Sequence, residues 1–305
     1  MKKISMANGN ITASEIGLGC MRIADLDKKE VNNLINTALD CDINFFDHAD
    51  IYGKGKSEEI FSEALSMSPS LREKIIIQSK CAIRPGVYDY SKEHILSSVD
   101  GILKRLKTDY LDILLLHRPD TLMEPEEVSE AFEKLYNEGK VRNFGVSNHN
   151  SMQIELLNKY LKNKITINQL QFSIMHTGII DSGLNVNMKN SPSIDRDNSI
   201  LEYCRLNDIT IQAWSPYQYG FFEGTFIDNP KFPELNKKLK ELAEKYNVSS
   251  TAIATAWILR HPAKIQTIVG TTNENRLKDI CTASNVNLTR QEWYEIYLSA
   301  GNMLP

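Results

Sequence analysis

Short apolar runs alternate with longer amphipathic segments along nearly the whole chain, and this alternation is its most informative pattern. Runs such as IIIQ and DILLLH are too uniformly apolar for a sheet with one face in water, so they predict parallel strands buried on both faces. The eight predicted strands are SEIGLGC, INFFDHA, KIIIQSK, YLDILLLH, VRNFGVSN, INQLQFS, ITIQAWS and IQTIVG.

Amphipathic stretches lie between these strands, so that a helix is predicted after each one. They cover residues 28–41, 57–67, 92–106, 126–138, 152–160, 199–207, 235–246 with 249–260, and 275–283. Eight strand–helix units in series predict an α/β fold of the closed (β/α)8 TIM barrel type. A further predicted helix over residues 289–300 is an additional C-terminal helix outside that count.

An open doubly wound sheet is the competing architecture. If it bound a dinucleotide, it would carry a glycine-rich turn after its first strand, and no G-x-G-x-x-G occurs in the chain. No linker, low-complexity tract or short-period repeat interrupts the pattern. We therefore expect a single domain over residues 1–305, a length that barrels commonly reach.

The charge and composition favour a small-molecule partner. The chain has 35 Lys and Arg against 39 Asp and Glu, with no basic block suited to nucleic acid or a membrane surface. No segment shows a targeting or membrane-spanning pattern, so we expect a cytoplasmic protein. The five cysteines are scattered and the histidines lack metal-ligand spacing, which predicts no disulfide framework and no metal. Nothing indicates an interface, so we expect a monomer.

Four polar residues lie at or just past the ends of apolar runs: Asp47, Tyr52, Lys80 and His117. In a barrel, the carboxyl ends of neighbouring strands share one rim, so these residues are predicted to converge. An ammonium stabilises phenolate and lowers the pKa of a nearby tyrosine, a carboxylate keeps the ammonium charged, and an imidazole binds a developing oxyanion. The set suits protonation of a carbonyl oxygen while another group attacks the carbonyl carbon.

The attacking group must come from outside this set, because no serine or cysteine is paired with it as a nucleophile. A hydride cofactor fits, since Ser147, Asn148 and Gln169 offer hydroxyl and amide groups that suit a carboxamide, and Trp214 offers a stacking surface. After the eighth strand, the segment GTTNENR combines a helix start, small hydroxyl residues and an arginine. Barrels commonly bind phosphate at that position.

Six segments resemble the aldo-keto reductase family in order and spacing: FFDHADIYGKGKSE, IIIQSK, LLLHRPD, GVSNHN, NQLQFS and IVGTTNENRL. The resemblance covers essentially the whole chain. It implies that Tyr52 is the general acid, Lys80 its partner, Asp47 the carboxylate behind that lysine, and His117 the residue that orients the substrate. The cofactor-binding residues that it implies are Met21, Asp47, Ser147, Asn148, Gln169, Trp214, Ser215, Pro216, Gly270, Thr271, Thr272, Arg276 and Asp279.

The cofactor that the resemblance implies is NADP, with NAD as the alternative. Many members of the family carry a lysine against the 2′-phosphate of NADP where this chain has Gly270, and Ile280 stands where an asparagine is frequent. Arg276 still offers a planar, bidentate phosphate contact, so NADP stays ahead.

Two other functions are compatible with the sequence. A protein of this family can serve as a cofactor-binding regulatory or redox-sensing protein with little turnover, and a barrel isomerase or lyase could use Lys80 for a Schiff base. Substrate contacts in such a barrel come from the loops at the carboxyl ends of its strands. The predicted substrate loops are Met21 with Arg22, residues 174–198, and the aromatic segment 217–226.

Overall fold

A closed barrel of eight parallel strands forms the centre of the computed structural model, which describes residues 1–305. The strands are β1 (Ile16–Gly19), β2 (Phe45–Asp47), β3 (Ile76–Cys81), β4 (Leu111–Leu116), β5 (Val141–Ser147), β6 (Ile165–Gln171), β7 (Thr210–Trp214) and β8 (Gln266–Val269). Each strand pairs in parallel with its neighbours in the chain, and β8 pairs with β1 to close the barrel. The predicted (β/α)8 TIM barrel is confirmed, and every barrel strand overlaps a predicted run. Only β3, which extends to Cys81, and β6, which begins at Ile165, reach beyond their runs.

Helices surround the barrel and follow the predicted positions. They are α1 (Lys28–Asp40), α2 (Lys56–Leu65), α3 (Pro69–Arg72), α4 (Lys92–Leu106), α5 (Pro125–Asn137), α6 (Ser151–Tyr160), α7 (Gly178–Leu184), α8 (Ile200–Leu206), α9 (Pro233–Tyr246), α10 (Ser250–Leu259), α11 (Glu274–Cys281) and α12 (Arg290–Ser299). The additional C-terminal helix is α12. Only α3 and α7 lie outside the predicted set. The four residues of α3 are too few to show a helical period, and α7 lies within residues 174–198, which were predicted to be a loop.

Local signals explain where these helices begin and which face they bury. In α1, Asp27 and Glu30 form a capping box, in which each side chain accepts a hydrogen bond from the other residue's backbone N–H. Residues Val31, Leu34, Ile35 and Ala38 recur at helical spacing and are fully buried against the barrel. The main apolar core therefore lies between the strands and the surrounding helices.

Two short hairpins were not predicted from the sequence. Strands Lys3–Met6 and Ile11–Ser14 pair antiparallel ahead of the barrel. Residues of this hairpin, including Met6 and Ala13, pack with Phe45, Ile113 and Ile167 in a separate apolar cluster of inward-facing strand residues. A second hairpin, Ile83–Arg84 with Val87–Tyr88, follows β3 at the carboxyl-end rim. Both are too short for period-2 alternation to stand out.

The sequence predicted buried cysteines and no membrane-spanning segment. Cys20, Cys81 and Cys204 are buried, as expected of small apolar residues, whereas Cys41 and Cys281 are only partly buried. Burial raises the pKa of the Cys81 thiol well above its usual value, so that Cys81 is not an activated nucleophile. No helix has the length and apolarity that crossing a bilayer requires.

Candidate active site

Lys80 and Asp47 form a buried ion pair at the carboxyl-end rim, where β3 and β2 lie side by side. The Lys80 ammonium donates to both Asp47 carboxylate oxygens, at 2.8 Å and 2.7 Å, and to the backbone oxygen of His48 at 2.9 Å. Lys80 is fully buried and Asp47 is 3% exposed, so each charge depends on the other.

Tyr52 completes the group from the turn that follows β2. Its phenol oxygen accepts a hydrogen bond from the Lys80 ammonium at 3.1 Å, while its backbone N–H donates to Ala49. The next residue, Gly53, has a φ of +57°, and a Cβ atom there would lie 2.6 Å from the Ala24 side chain. Glycine is therefore required where the turn brings Tyr52 back over Lys80.

Burial and neighbouring charges shift the pKa values of both Lys80 and Tyr52. Burial alone would lower the pKa of Lys80, but Asp47 and Tyr52 together hold that pKa above its usual value. Burial raises the pKa of Tyr52, and the Lys80 charge offsets only part of this increase. The expectation that Lys80 would give Tyr52 a lowered pKa therefore does not hold for the protein alone. Tyr52 carries its proton at neutral pH, and the Lys80 ammonium can stabilise the phenolate that forms when the proton leaves.

His117 lies directly after β4 and faces Tyr52. The two rings meet edge to face, with centroids 6.0 Å apart, and the His117 backbone N–H donates to Cys81. Burial, followed by the charges of Lys80 and Arg118, holds the pKa of His117 well below its usual value. His117 is therefore neutral, and its buried Nδ1 atom has no partner. The structure thus brings together all four residues predicted from strand ends.

A chain of glutamine side chains supports this group from inside the barrel. Asp47 Oδ1 accepts from Gln78 at 2.6 Å and from Gln169 at 3.2 Å. Both of these amides also donate to Gln212 Oε1, at 2.9 Å and 3.0 Å, and Gln212 in turn donates to Gln266 at 2.8 Å. Gln266 donates to the backbone of the N-terminal hairpin at Ser14. Strands β2, β3, β6, β7 and β8 are thereby joined through side-chain amides.

Ser147, Asn148 and Trp214 form a second polar group on the same rim. Ser147 Oγ donates to the Gln169 backbone oxygen at 2.9 Å and accepts from Asn148 Nδ2 at 2.8 Å. Asn148 has a left-handed backbone with a φ of +60°, and its Oδ1 accepts from the Trp214 indole at 3.0 Å. The Gln169 amide N–H groups donate to Asp47 and Gln212, and no protein group donates a hydrogen bond to its Oε1 atom.

An aromatic cluster covers the rim after β7. Phe222 stacks on Trp214 with centroids 6.2 Å apart, and Phe221 meets the same indole edge-on at 6.3 Å. Both phenylalanines are exposed and lie on the predicted substrate loop 217–226. Next to Trp214 in the chain, Ser215 has a φ of +52° and Pro216 is buried, which turns the chain sharply out of the strand.

The segment after β8 leads into α11. Asn273 caps this helix by accepting from the Arg276 backbone N–H at 2.9 Å. Thr271 is buried, and its hydroxyl accepts from the Asn273 backbone. The other predicted residues here lie at the surface: Gly270 is half-buried, and Thr272, Arg276 and Asp279 are exposed, as is Met21 on the loop after β1. No protein acceptor holds the Arg276 guanidinium.

Three residues of the site were missed from the sequence. Gln78 and Gln212 lie within buried strands, and a polar residue inside such a run was the signal that could have revealed them. Arg118 follows His117, and its guanidinium lies 5.7 Å from the Trp214 ring centroid. Asp50 lies next to Lys80, to whose backbone oxygen its N–H donates. Burial and then the charge of Glu58 raise the pKa of Asp50 to about 7, and the Asp50 Oδ1 atom has no hydrogen-bond partner.

Comparison with known proteins places this geometry in context. The model of the Aldo/keto reductase family matches residues 15–297, which span every strand of the barrel. An uncharacterized oxidoreductase of Bacillus subtilis, YcsN, is 35% identical over 312 aligned positions, with 97% of each chain covered. A 6-dehydroglucose reductase of Agrobacterium fabrum is 33% identical, with 98% of each chain covered.

A solved structure shares the fold. The crystal structure of the thermostable aldo-keto reductase Tm1743, in complex with the inhibitor epalrestat, superposes with a TM-score of 0.79. The match covers 98% of this chain and 100% of the other, at 24% identity. At that identity the likeness supports the barrel architecture alone.

Proposed function

Because the chain belongs to the aldo/keto reductase family, we propose that it is an NADP(H)-dependent oxidoreductase that reduces aldehyde or ketone carbonyls to alcohols, with Tyr52 as general acid. One observation carries this proposal. The buried Lys80 ammonium contacts the Asp47 carboxylate and the Tyr52 phenol at the same time, at 2.7 Å and 3.1 Å. A phenol placed against a cation can give up its proton without exposing the phenolate to an apolar interior.

Each residue has a distinct part in this reaction. Tyr52 donates its proton to the carbonyl oxygen, and Lys80 stabilises the phenolate that remains. Asp47 keeps the Lys80 ammonium charged and fixed in place. His117 is neutral, so one of its ring nitrogens can donate a hydrogen bond to the substrate oxygen as negative charge develops there. A bound nicotinamide cofactor supplies the hydride for the carbonyl carbon.

The residues on β5, β6 and β7 fit the nicotinamide end of such a cofactor. A carboxamide needs both an acceptor and a donor, and the Gln169 Oε1 atom and the Asn148 amide N–H groups offer them at neighbouring strand ends. Ser147 adds a hydroxyl, and Trp214, fixed by its hydrogen bond to Asn148, adds a ring surface. This combination of an amide-binding set with an indole suits a flat aromatic ring that bears a carboxamide.

The remaining cofactor residues would hold its phosphate and adenosine parts. An exposed helix start with an unpaired arginine suits an anionic phosphate, which favours NADP over NAD. The proposed contacts are Met21, Asp47, Ser215, Pro216, Gly270, Thr271, Thr272, Arg276 and Asp279.

Replacing the proposed acid tests the reaction directly. We expect Tyr52→Phe to lower kcat for a panel of simple aldehydes by roughly 100-fold to 10,000-fold, the usual contribution of a positioned acid. Tyr136→Phe is the matched control, because Tyr136 is exposed on α5. Steady-state oxidation of NADPH measures both variants. Equal kcat values for Tyr52→Phe and the parent would show that the assigned role is wrong.

Cofactor preference tests the assignment of Arg276. We expect the parent to bind NADPH at least about tenfold more tightly than NADH, since a charged phosphate contact contributes roughly 1.5–3 kcal/mol. In Arg276→Met that preference should fall toward one, while NADH binding changes little. Quenching of tryptophan fluorescence gives both dissociation constants. Equal affinity of the parent for the two cofactors would contradict the NADP assignment.

A further inference from the structure

Arg118 occupies a prominent place at the mouth of the barrel. It follows His117 at the end of β4, and its backbone oxygen accepts a 2.7 Å hydrogen bond from the fully buried Tyr90. The guanidinium is half-buried, 5.7 Å from the Trp214 ring centroid and 5.8 Å from that of Phe221. Contacts at these distances lie near the outer limit for a cation–π interaction, so the rings position the guanidinium without satisfying its N–H groups.

None of the five N–H donors of Arg118 has a protein acceptor, and no carboxylate lies within ion-pair distance. The acid nearest in the chain is Asp120. One of its carboxylate oxygens accepts a hydrogen bond from the Tyr90 backbone N–H at 3.0 Å, and the other accepts from the Leu122 backbone N–H at 2.8 Å. Burial lowers the pKa of Arg118, and no carboxylate opposes that effect. A partly buried guanidinium that makes no hydrogen bond through its N–H groups lowers the stability of the protein without a ligand.

The bases at the ends of β3 and β4 and in the neighbouring rim hairpin are neutral or paired with an acid. Lys80 is paired with Asp47, and His117 is uncharged. On the neighbouring rim hairpin, Arg84 pairs with Asp89 at 2.6 Å. Arg118, in comparison, is a positive charge without an acidic partner beside the Tyr52 and His117 side chains.

We propose that Arg118 binds an anionic group of the substrate, so that this protein acts on carbonyl compounds that also carry a carboxylate or a phosphate. The inference rests on the proposed carbonyl reduction and names its substrate class. A guanidinium matches both oxyanions with two parallel hydrogen bonds. Binding the anion at Arg118 positions the carbonyl of the same molecule next to Tyr52 and His117, and the apolar surface of Phe221 covers the part of the substrate between them.

Matched pairs of substrates test the proposal. One pair is 4-formylbenzoate with its neutral methyl ester, and the other is glyceraldehyde 3-phosphate with glyceraldehyde. For at least one pair we expect the parent to show a kcat/KM roughly tenfold or more higher for the anion, the usual magnitude for a charge-assisted contact. The pair with the larger ratio identifies whether carboxylate or phosphate is preferred.

The variant Arg118→Met should reduce that ratio to about one, mainly by raising KM for the anionic member. Arg118→Lys should keep part of it, because a lysine retains the charge and loses the planar fork. Arg84→Gln is the matched control, since it removes one positive charge from the same rim, and the ratio should stay as in the parent. The dissociation constant for NADPH should not change in Arg118→Met.

Each result decides one question. A parent ratio near one in both pairs, or an equal loss for anionic and neutral members in Arg118→Met, would overturn the anion site. Weaker NADPH binding by Arg118→Met would overturn it too, by assigning Arg118 to the cofactor. Those outcomes leave carbonyl reduction itself intact. Absence of NADPH oxidation with every aldehyde of either pair would instead overturn the proposed function, and the inference with it.

Discussion

At the scale of single residues, Lys80 is the side chain on which the candidate site depends. A fully buried ammonium is stable only when its charge and its three N–H donors are satisfied, and here Asp47, the His48 backbone and Tyr52 supply the acceptors. The same contacts that keep the lysine charged place it against the phenol. Structural stability and the proposed acid chemistry therefore require the same three partners.

The pH dependence of the two reaction directions follows from these residues. Reduction needs a protonated Tyr52, and a raised pKa keeps that proton in place through neutral pH. His117, with its pKa held low, stays neutral over the same range. We therefore expect kcat/KM for aldehyde reduction to be flat between about pH 6 and 9, within the range where Tyr52 stays protonated.

Alcohol oxidation needs the phenolate, so its kcat/KM should rise by about tenfold per pH unit over that range. Steady-state rates in both directions, measured with saturating cofactor, check the prediction. In Lys80→Met the phenolate loses its cation, and the rise should shift to higher pH. A reduction rate that falls steeply between pH 6 and 8 would show that another group is the acid.

At the scale of elements, the strand ends and the strand interiors contribute differently. The residues at the ends of β2, β3 and β4 meet because adjacent parallel strands share a rim. Deeper in the barrel, side-chain amides from four strands form one connected network with the Asp47 carboxylate of β2. Such a network is stabilising only when its members find partners, because an unpaired buried amide is expensive.

Gln212 is the centre of that network and gives it a test. Replacing it with methionine removes the acceptor shared by Gln78 and Gln169 and the donor to Gln266. We expect Gln212→Met to lower the free energy of unfolding by roughly 2–4 kcal/mol, measured by urea denaturation. Gln291→Met is the control, because Gln291 is exposed on α12 and should change stability by less than about 0.5 kcal/mol. Similar effects of the two substitutions would contradict the role of the network.

At the scale of the whole molecule, contacts between distant parts of the chain complete the barrel. The strand pair β8–β1 closes it, and Gln266 donates to Ser14 in the N-terminal hairpin. At the other end of the sequence, Trp293 of α12 stacks on Trp257 of α10 with centroids 4.7 Å apart, and each indole donates to the other residue's backbone oxygen. The two ends of the chain are thus tied to the same barrel.

Because these contacts join distant parts of the chain, we propose that residues 1–305 form one cooperative domain. We also propose that the protein is a monomer. Circular dichroism and intrinsic fluorescence should then report a single coincident unfolding transition in urea, and light scattering should give the mass of one chain. Two transitions resolved by the two probes would indicate separate domains. A scattering mass of two chains would contradict the monomer.

Part of this structure could be predicted from periodicity, because local burial imposes local patterns. Strand runs such as DILLLH and the apolar face of α1 must be apolar wherever the barrel encloses them, so strand number, helix positions and fold class were readable. The positions of Asp47, Lys80 and His117 followed from the shared rim of a barrel. Short elements, such as α3 and the hairpins, span too few residues to display a period, and α7 lies inside the polar stretch 174–198 that was predicted to be a loop.

The sequence by itself determined the barrel and the residues delivered to its carboxyl-end rim, because burial sets the hydrophobic period. Only the tertiary structure decided the protonation states and the partners of those residues. Burial of Tyr52 outweighs the nearby Lys80 charge, and Arg118 is left without an acid although Asp120 lies two positions away. Desolvation and hydrogen-bond pairing depend on atoms brought together from distant parts of the chain, so no local pattern records them.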